Sequence, residues 1–252
     1  MIDKKTLFDI AKLNGLKPWQ QEKHYVQSLV LVILSEQPLV FKGGTYLWFF
    51  HGLRRFSEDL DFTASGKLPD NLAGIVSKGL GLFGVENKSR LISDNETTLS
   101  FRISAKAPLN TADIDECRVY VEISRREAIL KKTIPLKFDY PAYQLPIKHL
   151  AGMHLDEVCA EKVRALFTRK TSRDVYDLYC LAKNKKAAFD EEAINSKLSY
   201  YNLEFSKRLF LQKINSFERH YAKELRPIVL DELPKFTEIR KFLRKWAGNG
   251  KS

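Results

Sequence analysis

The chain changes its hydrophobic period near residue 150, and this change limits the possible folds more than any other feature. Before that point, runs such as TTLSFRISAK and CRVYVEISRR alternate apolar and polar residues, the period of a strand with one buried face. From about residue 153, apolar residues recur every three or four positions, which predicts helices. We therefore expect an α+β part at residues 1–150 and a helical domain at residues 151–252.

Length and composition exclude several classes of protein. The 252 residues allow one large domain or two modest ones, and 44% hydrophobic with 29% charged residues is typical of a globular protein rather than a disordered or collagen-like one. The longest apolar run, Leu29–Leu34, is too short to span a membrane, and residues 1–20 lack the apolar region of a secretory signal. We expect a cytoplasmic protein without membrane contact.

Cysteine and histidine spacing gives no sign of a zinc site. The three cysteines are widely separated, without a C-x-x-C motif, and the five histidines show neither metal-ligand spacing nor a catalytic arrangement. Disulfide frameworks and structural zinc are therefore not expected. The cysteines are Cys117, Cys159 and Cys180, and the histidines are His24, His51, His149, His154 and His220.

Positive charge is concentrated in the C-terminal part. The whole chain carries a net charge of +11. Residues 1–160 hold 21 basic and 19 acidic residues, whereas residues 161–252 hold 21 basic and 12 acidic residues. The excess of +9 in the second part predicts a polyanionic partner such as nucleic acid, and solvation of helix faces is the alternative.

The segment from residue 39 to residue 62 combines features of a phosphate site and a metal site. Leu39–Lys42 predicts a buried strand, Gly43 and Gly44 a turn, and Thr45 the cap of a short apolar helix that ends near Gly52. Glycines at a helix start let phosphates approach main-chain N–H groups. The alternation from Phe56 to Phe62 predicts a strand with Asp59 and Asp61 on one face, which suits Mg²⁺ bound jointly with substrate phosphates. Alone, each half is commonly only a turn or a solvated strand face.

Together, FKGGTYLWFF and RRFSEDLDF resemble the nucleotidyltransferase signature of the polymerase β superfamily, and specifically the AbiEii/AbiGii toxin family. The resemblance implies a polymerase β-like nucleotidyltransferase core with a mixed sheet, and a basic helical C-terminal domain that completes the nucleotide site. It also implies an NTP substrate and Mg²⁺, with Mn²⁺ as the alternative. The nucleotide-binding residues would be Lys42, Gly43, Gly44, Thr45, Ser57 and Lys162.

The resemblance also implies catalytic carboxylates. Asp59 and Asp61 would hold the metal ion, and Glu122, in a predicted strand in phase with Arg118 and Tyr120, would be the third metal ligand. Aspartate is common where this chain has Glu122, and an exposed glutamate beside an arginine is the alternative. Arg55 and Ser57, inside the carboxylate motif, would steady either phosphates or the strand.

The segment EKVRALFTRKTSRDVYDL resembles the family's lysine-containing helix followed by its Arg-Asp-x-x-Asp motif. Helical spacing independently places Lys162 between Val158 and Leu166 in an apolar stripe, where its ammonium group requires an anion. That anion is either a triphosphate or the carboxylate of a buried salt bridge. Asp174 would orient a catalytic group or the nucleotide, with Asp177 as the weaker candidate, although a carboxylate in the first turn of a helix is also favourable by itself.

The implied function is transfer of NMP from NTP onto an acceptor hydroxyl. RNA is the expected acceptor, as for relatives that modify tRNA 3′ ends, and the basic C-terminal surface would hold its backbone. The protein would be the toxin of a bacterial toxin–antitoxin or abortive-infection pair, restrained by a cognate antitoxin protein. The alternatives are nucleotidyl transfer to a protein or small molecule, and a non-catalytic RNA-binding module. Joint retention of Asp59, Asp61, Lys162 and Asp174 argues against the last alternative.

Overall fold

A computed structural model describes residues 1–248 of the chain, so the last four residues of the predicted C-terminal domain, 249–252, lie outside the described residues. The described chain divides into two compact units. The first unit consists of residues 1–50, 57–126 and 133–152. The second unit consists of residues 51–56, 127–132 and the chain from residue 153 onward.

The first unit is built on a seven-stranded mixed sheet. Its strands are β1 (Leu39–Lys42), β2 (Leu60–Ala64), β3 (Asn87–Asp94), β4 (Thr98–Ala105), β5 (Cys117–Ser124), β6 (Ile134–Phe138) and β7 (Lys148–Gly152). They lie in the order β3-β4-β5-β2-β1-β7-β6. The β1–β7 and β2–β5 pairs are parallel, and the other neighbouring pairs are antiparallel. The predicted mixed sheet is therefore confirmed.

One face of the sheet forms the core of the first unit. The helices of this part of the chain are α1 (Lys4–Asn14), α2 (Pro18–Leu34), α3 (Gly43–His51) and α4 (Leu72–Leu82). In β5, Val119, Val121 and Ile123 are completely buried, because α2 packs against this strand. α4 packs against β3 and β4. The alternate residues of β5, which include Arg118 and Glu122, are exposed, so the opposite face of the sheet carries polar side chains.

Helices form most of the second unit: α5 (Leu155–Thr168), α6 (Ser172–Asn184), α7 (Glu191–Ser199), α8 (Lys207–Ser216), α9 (Glu218–Leu225) and α10 (Phe236–Trp246). Its core includes a fully buried lysine, Lys197, whose Nζ lies 2.7 Å from Oε1 of Glu157 and donates to the carbonyl of Ala128 at 3.1 Å. Glu157 also accepts the main-chain N–H groups of Leu130 and Lys131. These bonds hold the segment 127–132 within the unit.

The structure corrects three details of the predicted elements. α1, β6 and β7 were not expected; β6 contains Pro135, and a proline weakens the strand signal but is tolerated in an edge strand such as this one. α3 begins at Gly43, so Thr45 lies inside its first turn instead of capping it. The predicted strand at residues 56–62 is wrong at its start, since β2 begins at Leu60.

The described residues include no helix that is both long enough and apolar enough to cross a bilayer.

Candidate active site

Three charged residues form a row across the centre of the sheet. The antiparallel register of β1 and β2 pairs Lys42 with Asp61, and the parallel register of β2 and β5 pairs Asp61 with Glu122. Directly paired residues share a face, and neighbouring strands lie about 4.8 Å apart. The row Lys42–Asp61–Glu122 therefore places Asp61 between a lysine and a second carboxylate, on the face opposite the core.

Asp59 immediately precedes β2 and is exposed, whereas Leu60 and Phe62 are buried. Because Asp59 is outside the strand, strand alternation does not fix the direction of its side chain, and the common face of the two aspartates stays a prediction.

Side chains fix the segment that leads to these aspartates. The amide Nε2 of Gln27, a fully buried residue of α2, donates to the carbonyls of Ser57 at 3.2 Å and Glu58 at 2.8 Å. The hydroxyl of Thr45 donates to the carbonyl of Asp59 at 2.5 Å. Because three successive carbonyls are bound by side chains, this segment does not join the sheet. Thr45 and Ser57 therefore take part in positioning the carboxylates, and sequence spacing gave no signal for Gln27.

Gly43 touches the central carboxylate of the row. Its φ of +78° is a left-handed conformation that favours glycine, and a Cβ at this position would overlap Oδ2 of Asp61 and lie 2.8 Å from its Cβ and Cγ. The close approach expected of the glycine turn is therefore made to Asp61. Gly44 is buried in the first turn of α3, and Lys42 is buried at the end of β1.

The carboxylate oxygens on this face suit a hard cation such as Mg²⁺, whose remaining ligands are substrate phosphates and water. Among residues 1–248, no group of three or more histidine, cysteine, aspartate or glutamate side chains is arranged to hold a metal ion. Mg²⁺, however, is usually bound by only one or two carboxylates together with substrate phosphates and water. The carboxylates of Asp61 and Glu122 fit that mode of binding, because the register places them side by side on adjacent strands and their oxygens are hard ligands.

The second unit contains a separate ion-pair cluster around Lys162. The Nζ of Lys162 lies 2.9 Å from Oδ1 of Asp174 and 2.6 Å from Oδ2 of Asp177. Arg55 binds both oxygens of Asp177 at 2.6 Å, and Arg169 binds both oxygens of Asp174 at 2.8 and 3.0 Å. The salt bridge considered as the alternative for Lys162 is therefore present, and a phosphate contact of this lysine stays a prediction.

Charge balance fixes the ionisation of this cluster. Burial alone would raise the pKa of the Asp174 carboxyl, but the charges of Lys162 and Arg169 outweigh it and hold that pKa well below its usual range. The same holds for Asp177. Burial would raise the pKa of its carboxyl, but the charges of Arg55 and Lys162 lower that pKa by a larger amount. Burial would lower the pKa of Lys162, but the two aspartates raise it above its ordinary value. Three cations thus share two carboxylates, with a net charge of +1.

Sequence reasoning placed some of these residues and missed others. Asp174 lies in the first turn of α6, as expected. Arg55 and Asp177 are 122 positions apart, so their bidentate pairing had no sequence signal. Arg169, whose side chain is 57% exposed, was also missed.

Comparison with known proteins agrees with the fold and the motifs. The family profile described as "Nucleotidyl transferase AbiEii toxin, Type IV TA system" matches residues 30–246. A search of curated proteins found no match.

Three of the solved structures with the same fold come from two bacteria. A Helicobacter pylori protein assigned as a nucleotidyltransferase has a TM-score of 0.67 at 22% identity, over 92% of this chain and 95% of its own. JHP933 from Helicobacter pylori has a TM-score of 0.57 at 20% identity, over 91% and 90%. The nucleotidyltransferase toxin MenT4 from Mycobacterium tuberculosis H37Rv has a TM-score of 0.60 at 21% identity, over 98% and 89%. These TM-scores establish a shared fold, and the profile match over most of the chain establishes the family: the chain belongs to the AbiEii nucleotidyl transferase toxins of type IV toxin–antitoxin systems.

Proposed function

We propose that this nucleotidyltransferase moves NMP from an NTP onto the terminal hydroxyl of an RNA, with tRNA 3′ ends as the first candidates. The observation that carries the proposal is the register row Lys42–Asp61–Glu122, with the exposed Asp59 two residues before Asp61 in the chain. It joins hard anionic ligands to a cation at the start of α3, and a metal-bound triphosphate needs both.

The carboxylates divide the work of the reaction. Asp59, Asp61 and Glu122 would hold Mg²⁺, or Mn²⁺ in its place, and the bound ion would offset the negative charge of the triphosphate. Glu122, at the exposed end of the row, accepts the proton of the acceptor hydroxyl as its oxygen attacks the α-phosphorus. The new P–O bond forms while the bond to the β-phosphate oxygen breaks, and pyrophosphate leaves.

The start of α3 is proposed to receive the phosphates. The main-chain N–H groups of Gly43, Gly44 and Thr45 are in the first turn of this helix, where the helix dipole favours anions. Lys42 adds a full positive charge next to Asp61. The hydroxyl of Thr45 is bound to the carbonyl of Asp59, so Thr45 contributes only its main-chain N–H.

Lys162 and Asp174 keep their predicted roles within this proposal. Lys162 would offset charge that builds up on the phosphates in the transition state. Asp174 would act as a positioning residue, since its Oδ1 accepts a hydrogen bond from Lys162 at 2.9 Å. Asp177 shares that task, because it also binds Lys162.

The acceptor is assigned from charge. A net charge of +11 favours a polyanion over a small molecule or an average protein surface. Membership of a type IV toxin–antitoxin family implies a cognate antitoxin protein. We propose that the antitoxin, encoded separately, restrains this transfer activity in the cell.

The test is transfer of label from each α-³²P-labelled NTP, with Mg²⁺, to total bacterial RNA. Asp61→Asn and Glu122→Gln keep the size of each side chain, and Asp70→Asn changes an exposed aspartate of the same unit as a control. We expect labelled RNA with the wild type and with Asp70→Asn, and a loss of at least 100-fold with Asp61→Asn. Label in protein instead of RNA, or equal activity in all variants, would overturn the proposal.

A further inference from the structure

The sheet face that carries Asp61 and Glu122 also carries a group of basic residues on the neighbouring strands. The antiparallel registers form two rows next to the carboxylates: Lys88, Ser104 and Arg118 in one, and Arg90, Arg102 and Tyr120 in the other. The following row contains Ser93, Ser100 and Glu122. We refer to Lys88, Arg90, Arg102, Arg118 and Tyr120 as the basic strip.

The side chains of the basic strip are available to a ligand. Lys88, Arg90 and Arg118 are exposed, and Tyr120 is 40% exposed. Within residues 1–248, none of the strip's side chains forms a hydrogen bond or an ion pair. The Nε of Arg102 is in addition buried, and no acceptor in the described chain receives its N–H. Arg102 as a whole is half-buried, so its cation is still offered to this face.

The charges of the strip also repel one another. Arg90 lies directly opposite Arg102, and like charges in this relation destabilise a sheet. Within β3, β4 and β5, all of them in the described part of the chain, Glu122 is the one carboxylate on this face. Two basic residues on other strands of the sheet do have acidic partners, since Lys137 pairs with Asp139 and Lys148 with Glu36. The cations of the strip therefore have no acidic side-chain partner among the described residues.

Its dimensions suit a chain of phosphates that ends at the carboxylates. Tyr120 precedes Glu122 by two residues and Arg118 precedes it by four, which is about 7 Å and about 13 Å along the strand. β3 adds cations two strands away, about 10 Å to the side. A single nucleotide at Asp61 and Glu122 would leave most of this length uncovered.

We propose that the basic strip binds the single-stranded 3′ end of the acceptor RNA. The cations contact its last phosphates, and Tyr120 stacks on a terminal base, the usual way in which aromatic side chains hold unpaired bases. The terminal hydroxyl is thereby directed to Glu122. This inference rests on the proposed function. It places the 3′ end of the RNA on the sheet, while the basic helical part, which composition indicated, would hold the rest of the RNA backbone.

Binding of a fluorescent single-stranded RNA oligonucleotide, followed by anisotropy over a range of salt concentrations, tests the strip. Arg90→Gln/Arg118→Gln is expected to weaken binding at least 10-fold. It should also reduce the slope of log K against log[salt] by about 1.4, since each single-strand phosphate contact contributes about 0.7. Tyr120→Leu should weaken binding about 5-fold or more without a change of slope.

The matched control is Lys67→Gln/Lys78→Gln. It removes two positive charges from exposed positions of the first unit that lie neither in the strip nor in the basic helical part, and it should change affinity less than 2-fold with an unchanged slope. The inference is overturned if the two double variants weaken binding equally, if the Lys67→Gln/Lys78→Gln variant is the weaker binder, or if the wild type does not bind the oligonucleotide.

Transfer kinetics with the same variants separate this inference from the proposed function. Arg90→Gln/Arg118→Gln should raise the KM for RNA at least 10-fold while the KM for NTP stays constant. A wild type that binds RNA through the strip but transfers no nucleotide to any RNA would refute the proposed function alone. A wild type that transfers nucleotide to RNA, with an unchanged KM for RNA in the strip variant, would refute the strip alone.

Discussion

Replacement of Gly43 by alanine is expected to abolish most of the activity and also to lower stability. Alanine at a φ of +78° costs about 1–2 kcal/mol, and the lower entropy of the unfolded chain returns about 0.4–1 kcal/mol, so the net loss is about 1 kcal/mol. The new Cβ would also overlap Oδ2 of Asp61. We estimate that the carboxylate must move by about 1 Å, and a displacement of this size can reduce kcat about 100-fold.

Gly84→Ala provides the matched control. Gly84 lies in the same unit with a φ of +75°, and its nearest neighbour for a new Cβ is the N atom of Met1 at 3.7 Å, an ordinary contact. The backbone conformation should therefore cost both variants about 1 kcal/mol in urea denaturation, and Gly43→Ala should lose more because its new Cβ overlaps Asp61. Only Gly43→Ala should lose nucleotide transfer. If the two variants retain transfer rates within 3-fold of each other, the contact of Gly43 with Asp61 has no catalytic importance.

Two further predictions concern buried charge. Lys162→Met should lower the free energy of unfolding by about 3 kcal/mol, because it leaves two buried carboxylates with fewer cations; an unchanged urea midpoint would contradict this. Burial lowers the pKa of His24 to about 3 from 6.5. The neutral form therefore stabilises the fold above pH 6.5, and up to about 4–5 kcal/mol is lost as the pH falls to 3. When the free energy of unfolding is measured by urea titration between pH 6.5 and pH 3, His24→Phe should lose less of it than the wild type. An equal loss in the wild type and the variant would refute the reasoning.

The partners of His24 explain why its neutral form is retained. The ring stacks on Phe49 at 4.2 Å between centroids, and its Nδ1 lies 2.8 Å from the hydroxyl of Tyr143. Gln21 donates to the same hydroxyl. The ring of His24 is therefore part of the aromatic packing of the first unit, together with Phe49 and Tyr143.

Local patterns in the sequence predicted the faces of individual strands but not which residues meet across them. The alternation in β5 correctly separates Val119 and Val121 from Tyr120 and Glu122, because a strand with one buried face has a period of two. The pairing of Asp61 with Glu122 depends on the register of β2 and β5, and no period in either segment specifies it. The family motifs, not the spacing, brought these two carboxylates together.

Composition concealed the basic strip. The cations of β3, β4 and β5 lie within residues 1–160, whose net charge is only +2, and the sequence separates them by acidic turns. Strand pairing brings them onto one face, while acidic residues such as Asp94 pair with other cations. The net charge of a segment thus follows from its composition, but the face of the sheet on which the charged side chains lie depends on the register of the strands.

The positioning residues were missed for a related reason. Gln27 lies in α2 just before the apolar run Leu29–Leu34, and nothing in its neighbours indicates that its amide binds the carbonyls of Ser57 and Glu58. A polar residue in a buried helix is itself a usable signal, since its hydrogen-bonding groups require partners. That signal predicts that a bond exists, and only the fold identifies the segment that receives it.

The most direct test of the proposed site is binding of Mn²⁺ in the presence of a non-hydrolysable NTP analogue, measured by electron paramagnetic resonance. The wild type and the control Asp70→Asn should bind the ion with equal affinity. Asp59→Asn and Asp61→Asn should each weaken binding at least 10-fold, and Glu122→Gln should weaken it by a smaller factor. Equal affinity in all five proteins would contradict the assignment of these carboxylates to the reaction.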